Sequence, residues 1–180
     1  MIAVSQLGKS YGAQVLFEDV NIRFHAGQCY GIVGANGSGK STFLNILSGE
    51  EDSSIGECMV PGDCRLGFLK QNRFRDLNQS IIEVAMWGDE EVVEALQERN
   101  ALLARAESGD FDANRYARLE EIIEHGDGYT LESRASEILE GLGIPAHHHA
   151  ESLSILSGGF QLRVLLAQAM TGRPDVLLLD

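Results

Sequence analysis

Basic side chains are scarce in this sequence. Its 180 residues include 14 lysines and arginines against 27 aspartates and glutamates, which gives a net charge of −13 at pH 7. Because nucleic-acid phosphates are held mainly by Lys and Arg, this balance argues against a nonspecific nucleic-acid-binding surface, and we expect no direct sequence-specific DNA binding. It indicates a solvated acidic surface, and it leaves open a nucleic-acid-containing partner held by other parts of a longer protein.

Long apolar runs are also missing. No run approaches the roughly 18–20 residues that span a bilayer. The opening residues, MIAVSQLGKSYG, lack the charged-then-apolar order of a signal peptide. With 44% hydrophobic and 23% charged residues, the composition is typical of a soluble globular domain. The sequence therefore predicts a cytoplasmic protein that has no membrane-spanning helix.

Cysteines are few, and their number, three, is odd. Two of them, Cys58 and Cys64, flank the segment MVPGD, which predicts a hairpin turn across which they could face each other. In a cytosolic chain we expect free thiols, and no second cysteine pair supports a zinc site. The histidine run at 147–149 lies in a predicted loop, and neighbouring residues share no face, so we predict no metal site there.

The first 80 residues predict strands around one short helix. Alternating apolar residues over 1–25 predict antiparallel strands, and the apolar run QCYGIV at 28–33 predicts a buried strand. A helix is predicted over 40–49, with Gly49 as its C-terminal cap. Short strands around a Pro-Gly-Asp turn are predicted over 55–69.

Helical spacing of apolar residues takes over beyond this point. Over 81–143 the apolar residues recur at helical intervals, which predicts a helical insert. The last segment predicts a helix that opens on Ser-Gly-Gly and then a buried strand. We therefore expect a core at 1–80, a helical subdomain at 81–155, and a return to the core at 156–180.

The stretch GANGSGKS, Gly34 to Ser41, fits the pattern G-x-x-x-x-G-K-[ST] at every fixed position. Its glycines let the backbone turn tightly and point N–H groups inward, where a side chain would obstruct a phosphate. Lys40 can place an ammonium against the β- and γ-phosphates, and the Ser41 hydroxyl can bind Mg²⁺. Because a predicted strand precedes the loop and a helix follows it, we predict a nucleotide-phosphate site.

Two further segments restrict the class of phosphate-loop protein. The chain ends on DVLLLD, and an aspartate at the carboxyl end of a buried strand, here Asp180, is typical of a site where metal and phosphate meet. The stretch LSGGFQLR, at 156–163, places Ser-Gly-Gly at the start of a helix just before that strand.

Together these segments resemble the ATP-binding cassette (ABC) superfamily along the whole chain. GANGSGKST is similar to its Walker A motif, GFLKQN to its Q-loop, LSGGF to its signature and VLLLD to its Walker B strand. The resemblance implies an α/β fold of the phosphate-loop NTPase type, an ABC ATPase cassette with an antiparallel β subdomain and a helical insert. It also implies ATP and Mg²⁺ as cofactors.

The family's functional positions map onto three groups in this sequence. The resemblance implies nucleotide contacts from Tyr11, Gly34, Ala35, Asn36, Gly37, Ser38, Gly39, Lys40, Ser41 and Thr42. It implies contacts to the ATP of a partner cassette from Ser157, Gly158, Gly159 and Gln161. It implies Mg²⁺-side contacts from Ser41, Gln71 and Asp180. The role implied for Tyr11 is stacking on adenine, and ordinary core packing is the alternative.

Within the superfamily, the chain most resembles the ABC-F branch of soluble proteins with two cassettes, many of which act on the ribosome in translation. This likeness is carried by residues 8–42, by the helical insert, and by the aromatic residue after LSGG, which a basic residue and then LLAQAM follow. It implies that the partners are a second cassette of the same longer protein and the ribosome, with no membrane domain. The alternatives are the ATPase subunit of a membrane transporter and a DNA-maintenance ATPase.

The sequence also departs from the family pattern. Phe160 stands where the usual signature has Gln, and Gln161 comes next. The family places a catalytic glutamate directly after the Walker B aspartate, and Asp180 is the last of these 180 residues. By themselves they are therefore expected to bind ATP with little hydrolysis. In the family's fold, a strand that follows Walker B lies between the Walker A and Walker B strands. Without it, the segments QCYGIV and DVLLLD are each expected to keep unpaired backbone groups and apolar side chains along the gap, which favours low stability or self-association.

Overall fold

A computed structural model of the chain describes residues 1–69, 77–106 and 111–180. The chain forms two compact units. We call Met1–Asn72 with Pro174–Asp180 the core unit, and Arg73–Arg173 the helical unit. The helical unit therefore extends beyond the range that the sequence indicated, 81–155, and it includes the helix that follows LSGG.

The core unit is built on an antiparallel sheet. Strand β1 (Ile2–Tyr11) pairs with β2 (Gln14–Phe24) on one side and with β3 (Ile55–Met59) on the other, which gives the order β2-β1-β3. Gly12, with φ +61°, supplies the left-handed conformation in the tight turn between β1 and β2. The antiparallel β part that the sequence predicted is confirmed.

A second, parallel pair completes the strands of the core unit in the described ranges. Strand β4 (Leu66–Leu69) pairs in register with β5 (Val176–Leu179), so residues far apart in sequence lie side by side. The predicted hairpin over 55–69 is therefore wrong. The turn forms, since the Cys64 N–H donates to the Pro61 carbonyl at 3.0 Å. Its two strands nevertheless join different sheets, and all three cysteines are free.

The predicted strand at 28–33 is also wrong. The segment has no regular structure, and Val33 is 96% exposed. A strand requires a neighbour for its backbone N–H and C=O groups, and none of the described residues supplies a ladder hydrogen bond here. Instead, Tyr30 packs edge-to-face on Phe24, with ring centroids 4.9 Å apart. The segment lines an open apolar groove of about 320 Å³ along β2.

Helix α1 (Lys40–Leu47) provides the apolar core of this unit. Its buried residues are Phe43, Leu44, Ile46 and Leu47, which pack with Ile2, Val4 and Leu7 of β1 and with Leu178 of β5. The helix is followed by Gly49 at φ +77°, whose N–H donates to the Ile46 carbonyl at 3.1 Å. The predicted helix and the glycine that ends it are confirmed. The helix begins at Lys40, within the glycine-rich stretch.

The helical unit contains five α-helices in its described ranges: α2 (Ile81–Met86), α3 (Glu90–Ala106), α4 (Ala113–His125), α5 (Leu131–Gly141) and α6 (Gly158–Thr171). Three short 3₁₀ turns lie at Gly128–Thr130, Ala146–His148 and Leu153–Ile155. The unit has its own core, in which α6 packs against α2 and α5 through Val164, Ala167, Ile81, Val84, Ala135 and Leu139. This packing explains why the helix after LSGG belongs to the helical unit and does not return to the core at residue 156.

Two negative findings apply to 1–69, 77–106 and 111–180. Within these ranges no helix has the length and apolar character needed to cross a membrane. The same ranges contain no cluster of three or more His, Cys, Asp or Glu suited to a metal ion. In the histidine run, His149 is buried, and its Nε2 hydrogen bonds to the Ile144 carbonyl at 2.9 Å.

Candidate phosphate and metal site

The glycine-rich loop at 34–41 has the backbone that its sequence predicts. Gly37 and Gly39 adopt left-handed conformations, with φ +81° and +90°. A Cβ on Gly34 would lie 2.7 Å from the Ser38 hydroxyl, so a side chain at this position would press into the loop. The Ser38 N–H donates to the Ala35 carbonyl at 3.2 Å. The loop is thus a tight turn that leads directly into α1, whose free N–H groups favour an anion.

Lys40 lies across its own loop. Its Nζ donates to the Gly34 carbonyl at 3.0 Å and to the Ala35 carbonyl at 2.9 Å. These bonds hold a positive charge at the mouth of the loop. An arriving phosphate offers the ammonium a charged acceptor in place of two neutral ones, and charge-assisted hydrogen bonds are the stronger kind.

Ser41 and Asp180 meet although 139 residues separate them. The Ser41 Oγ donates to the Asp180 Oδ1 at 2.9 Å. Asp180 is held at the end of β5, where its N–H donates to the Leu69 carbonyl at 3.3 Å. A hydroxyl and a carboxylate are hard oxygen ligands, which Mg²⁺ prefers. The donor set therefore fits a Mg²⁺ ion shared between the protein and a phosphate.

Not every predicted Mg²⁺-side residue can be placed. Gln71, the Q-loop candidate, lies outside the described residues, so its contact with the metal stays a prediction. The polar groups brought together in the core unit are those of the glycine-rich loop, the Ser41 hydroxyl and the Asp180 carboxylate.

Tyr11 lies at the end of β1 and is 53% exposed. Its hydroxyl donates to the Glu51 carboxylate. The Lys9 ammonium lies 5.1 Å from the centroid of its ring and forms an ion pair with Glu51, with 2.8 Å between Nζ and Oε1. The tyrosine is therefore an exposed aromatic ring held by two neighbours. Its stacking on adenine stays a prediction.

The signature residues belong to the helical unit. Ser157 is the N-cap residue of α6, and Gly158 and Gly159 form the first turn of this helix. All three are exposed, and a Cβ on either glycine would meet nothing within 4 Å. Gln161 is half-buried, and its side-chain Nε2 donates to the Leu153 carbonyl at 3.3 Å. The assignment of these four residues to a partner's ATP stays a prediction.

Sequence reasoning missed a side chain that braces the signature. The Arg163 guanidinium lies 4.7 Å from the centroid of the Phe160 ring, and its Nη1 donates to the Leu142 carbonyl at 3.0 Å. Arg163 therefore ties the beginning of α6 to the end of α5. The spacing of Phe160 and Arg163 on one helix is the signal that could have indicated the ring contact, whereas the bond to Leu142 joins distant residues.

A glycine-rich loop, its lysine, and a serine–aspartate pair at a helix start define a phosphate-loop nucleotide-binding protein. The family described as ABC transporter matches residues 17–180 of the chain. The chain therefore belongs to the ABC transporter family, and its α/β fold is that of an ATP-binding cassette.

Curated relatives match the chain over almost all of its length. YkpA of Bacillus subtilis, an uncharacterized ABC transporter ATP-binding protein, is 44% identical over 100% of the chain. The probable ATP-binding protein YbiT of Escherichia coli O157:H7 is 39% identical over 100%. The tylosin resistance ATP-binding protein TlrC of Streptomyces fradiae is 38% identical over 96%. The matched regions are 33%, 34% and 32% of these proteins, so the chain spans about a third of their length.

Solved structures share the fold. The dimeric structure of MJ0796, a bacterial ABC transporter cassette, matches with a TM-score of 0.68 and 21% identity over 100% of this chain and 73% of that chain. A dimeric post-hydrolysis state of the same cassette, bound to ADP and Pi, matches with a TM-score of 0.67 and 22% identity over the same shares. At these identities the likeness shows the fold.

Proposed function

We propose that the chain is the first MgATP-binding cassette of a longer, two-cassette ABC-F ATPase that acts on the ribosome in the cytoplasm. The observation that carries the nucleotide part is the 2.9 Å hydrogen bond between Ser41 and Asp180 beside a complete phosphate loop. It joins two oxygen ligands for Mg²⁺ to the loop that would hold the β- and γ-phosphates.

The mechanism on this side of the site is electrostatic. The loop N–H groups and the N-terminus of α1 would receive the phosphate oxygens, and Lys40 would turn from the loop carbonyls to the β- and γ-phosphates. Ser41 and Asp180 would hold Mg²⁺, which supplies charge neutralisation of the transferred phosphoryl group. Each of these groups lies in the core unit, so one unit binds one nucleotide.

The signature supports a second cassette as the partner. Gly158 and Gly159 are the first two residues of α6, and both are exposed. Nothing in the described part of the chain requires the absence of a side chain at either position, because a Cβ would find open space. A bare backbone at a helix start suits the close approach of a phosphate held by another cassette.

Three considerations support the ABC-F branch. The likeness in sequence includes the helical insert, whose helices α3 and α4 are described here. Relatives about three times as long as the chain leave room for a second cassette. Two of them, TlrC and YbiT, are named as ATP-binding proteins without the word transporter.

A transporter ATPase is the second candidate. It is favoured by the family description and by the name of YkpA, which includes ABC transporter. In that case the helical unit would contact a membrane-embedded partner.

Sedimentation of the full-length protein with ribosomes tests the proposal. We expect it to pellet with ribosomes through a sucrose cushion in a non-hydrolysable ATP analogue, and to stay in the supernatant in ADP. Lys40→Ala should abolish the nucleotide-dependent pelleting. Absence of ribosome binding in every nucleotide state, together with copurification with an integral membrane protein, would overturn the ribosomal assignment in favour of the transporter.

A further inference from the structure

Tyr11 contacts a cluster of charged groups, none of which belongs to the phosphate loop at 34–41. The Lys9 ammonium makes an ion pair with Glu51 at 2.8 Å and donates to the Asp52 carbonyl at 2.7 Å. The same Glu51 carboxylate accepts the Tyr11 hydroxyl. Hydrogen bonds from Lys9, and then from Tyr11, hold the pKa of Glu51 below its usual value, so this carboxylate is charged at neutral pH.

The members of this cluster differ in exposure. The side chains of Lys9 and Glu51 are only 12% and 24% exposed, whereas Tyr11 is 53% exposed. Two long side chains are thus held against the surface while an aromatic ring projects from it. Fixing long side chains costs conformational entropy, and the result here is a ring with a fixed hydroxyl and a cation over one face. The other face is left for a flat ligand.

The ring lies on the side of the sheet that carries the helix after the phosphate loop. Lys9 is paired with Phe17 on the neighbouring strand, and directly paired residues share a face. The Phe17 ring packs edge-to-face on Phe43 of α1, with centroids 5.7 Å apart, so this face carries the helix that follows the loop. Tyr11 follows two residues after Lys9 on the same face, about 7 Å farther along the strand.

We propose that Lys9 and Glu51 are positioning residues that hold the ring of Tyr11 for stacking on the base of the bound nucleotide. This inference rests on the proposed function, because it requires a nucleotide whose phosphates lie in the loop at 34–41. Glu51 fixes the ring through its hydroxyl, and Lys9 lies over one face, so the base would stack on the opposite face. Since stacking reads no base edge, this contact favours large flat bases and distinguishes a nucleotide from a triphosphate without a base.

The experiment compares two ligands on the full-length protein by calorimetry. MgATP carries a base, and Mg²⁺–ribose 5′-triphosphate does not. Binding that is lost in Lys40→Ala is assigned to this cassette, and the readout is the ratio of the two dissociation constants at that site. For Tyr11→Ala we expect ATP to bind about tenfold more weakly and the ribose triphosphate to be unaffected.

The positioning residues are tested with three variants. Lys9→Met, Glu51→Gln and Tyr11→Phe should each weaken ATP binding about threefold, because an unheld ring must be ordered on binding. Each should leave the affinity for ribose triphosphate unchanged. Lys9→Arg keeps the cation, so the ratio of the two dissociation constants should equal that of the parent protein. Glu57→Gln, on β3, is the matched control for removing an exposed carboxylate from the same sheet.

The outcomes separate this inference from the proposed function. If ATP and ribose triphosphate bind equally well to the parent protein, or if the three variants keep its ratio, the positioning role is overturned. A lower melting temperature with an unchanged ratio would show that the cluster only fastens β1 to the segment after α1. If Lys40→Ala removes no binding, the proposed function itself fails.

Discussion

The fold does not require glycine at Gly158 or at Gly159. Both residues lie at the start of α6, and both positions have open space around the missing Cβ. Other glycines of the chain are required by their backbone conformation. Gly37 and Gly39 need φ of +81° and +90°, which other residues rarely adopt. We infer that the first pair serves an external contact and the second pair serves the loop itself.

Alanine at either signature glycine should therefore lower ATPase activity without lowering stability. Gly158→Ala and Gly159→Ala should leave the free energy of unfolding unchanged or raise it by up to about 1 kcal/mol. In the full-length protein each should lower ATPase activity about tenfold, because a methyl group would keep a partner's phosphate at a distance. Urea unfolding and phosphate release are the measurements.

Gly141→Ala is the matched control, because Gly141 is also helical and has open space around it. It should be stabilising without any change in activity. Normal ATPase activity in both signature variants would contradict the assigned role of the glycines.

Sequence predicted the site better than the pairing of the strands. The phosphate loop is written in eight consecutive residues, so its conformation follows from local spacing. The place of Asp180 followed from a general rule about the carboxyl ends of strands. The contacts of Lys9, Tyr11 and Glu51 were not predictable in this way, because they join residues about 40 positions apart and follow no motif.

At the scale of elements, an apolar run predicts burial but does not identify a partner. The segments 55–59 and 66–69 flank one turn and were expected to pair, yet they joined β1 and β5. The run at 28–33 was expected to be a strand and forms none in the described chain. In both cases the outcome depends on which neighbour satisfies the backbone hydrogen bonds, and periodicity carries no such information.

Gly88, directly after α2, lies against the backbone of α6. A Cβ there would lie 1.8 Å from the Gln168 carbonyl oxygen of α6, and a backbone atom cannot move aside as a flexible side chain does. Gly88→Ala should therefore force α2 and α6 apart and lower the free energy of unfolding by about 3 kcal/mol.

Urea unfolding, followed by circular dichroism, measures this effect, and Gly141→Ala again serves as the control for adding a methyl group to the same unit. A loss below about 0.5 kcal/mol would show that the contact between α2 and α6 relaxes freely.

At the scale of the whole molecule, the candidate site residues are divided between the two units. The loop, Ser41 and Asp180 lie in the core unit, and the signature lies in the helical unit. Each unit has its own buried cluster, so each can keep its site in shape by itself. In the proposed function the two sites of one chain serve different nucleotides, which makes ATP a link between cassettes.

The surface has two features that bear on such an assembly. The net charge of −13 favours a solvated chain, which repels copies of itself at low salt. The segment at 30–33 is different, because its exposed apolar side chains line a groove along β2. Large exposed apolar patches mark interaction sites or ligand-binding grooves.

The central claim is that Ser41 and Asp180 together hold the Mg²⁺ of a nucleotide bound to the loop. The most direct test is the ATP affinity of the full-length protein in Mg²⁺ and in EDTA, with the site of this cassette identified by its loss in Lys40→Ala. We predict that Ser41→Ala and Asp180→Asn each weaken ATP binding in Mg²⁺ about tenfold. Neither variant should change the ATP affinity in EDTA. Asp63→Asn, in an exposed turn, should keep the full gain. An undiminished Mg²⁺ gain in both site variants would contradict the claim.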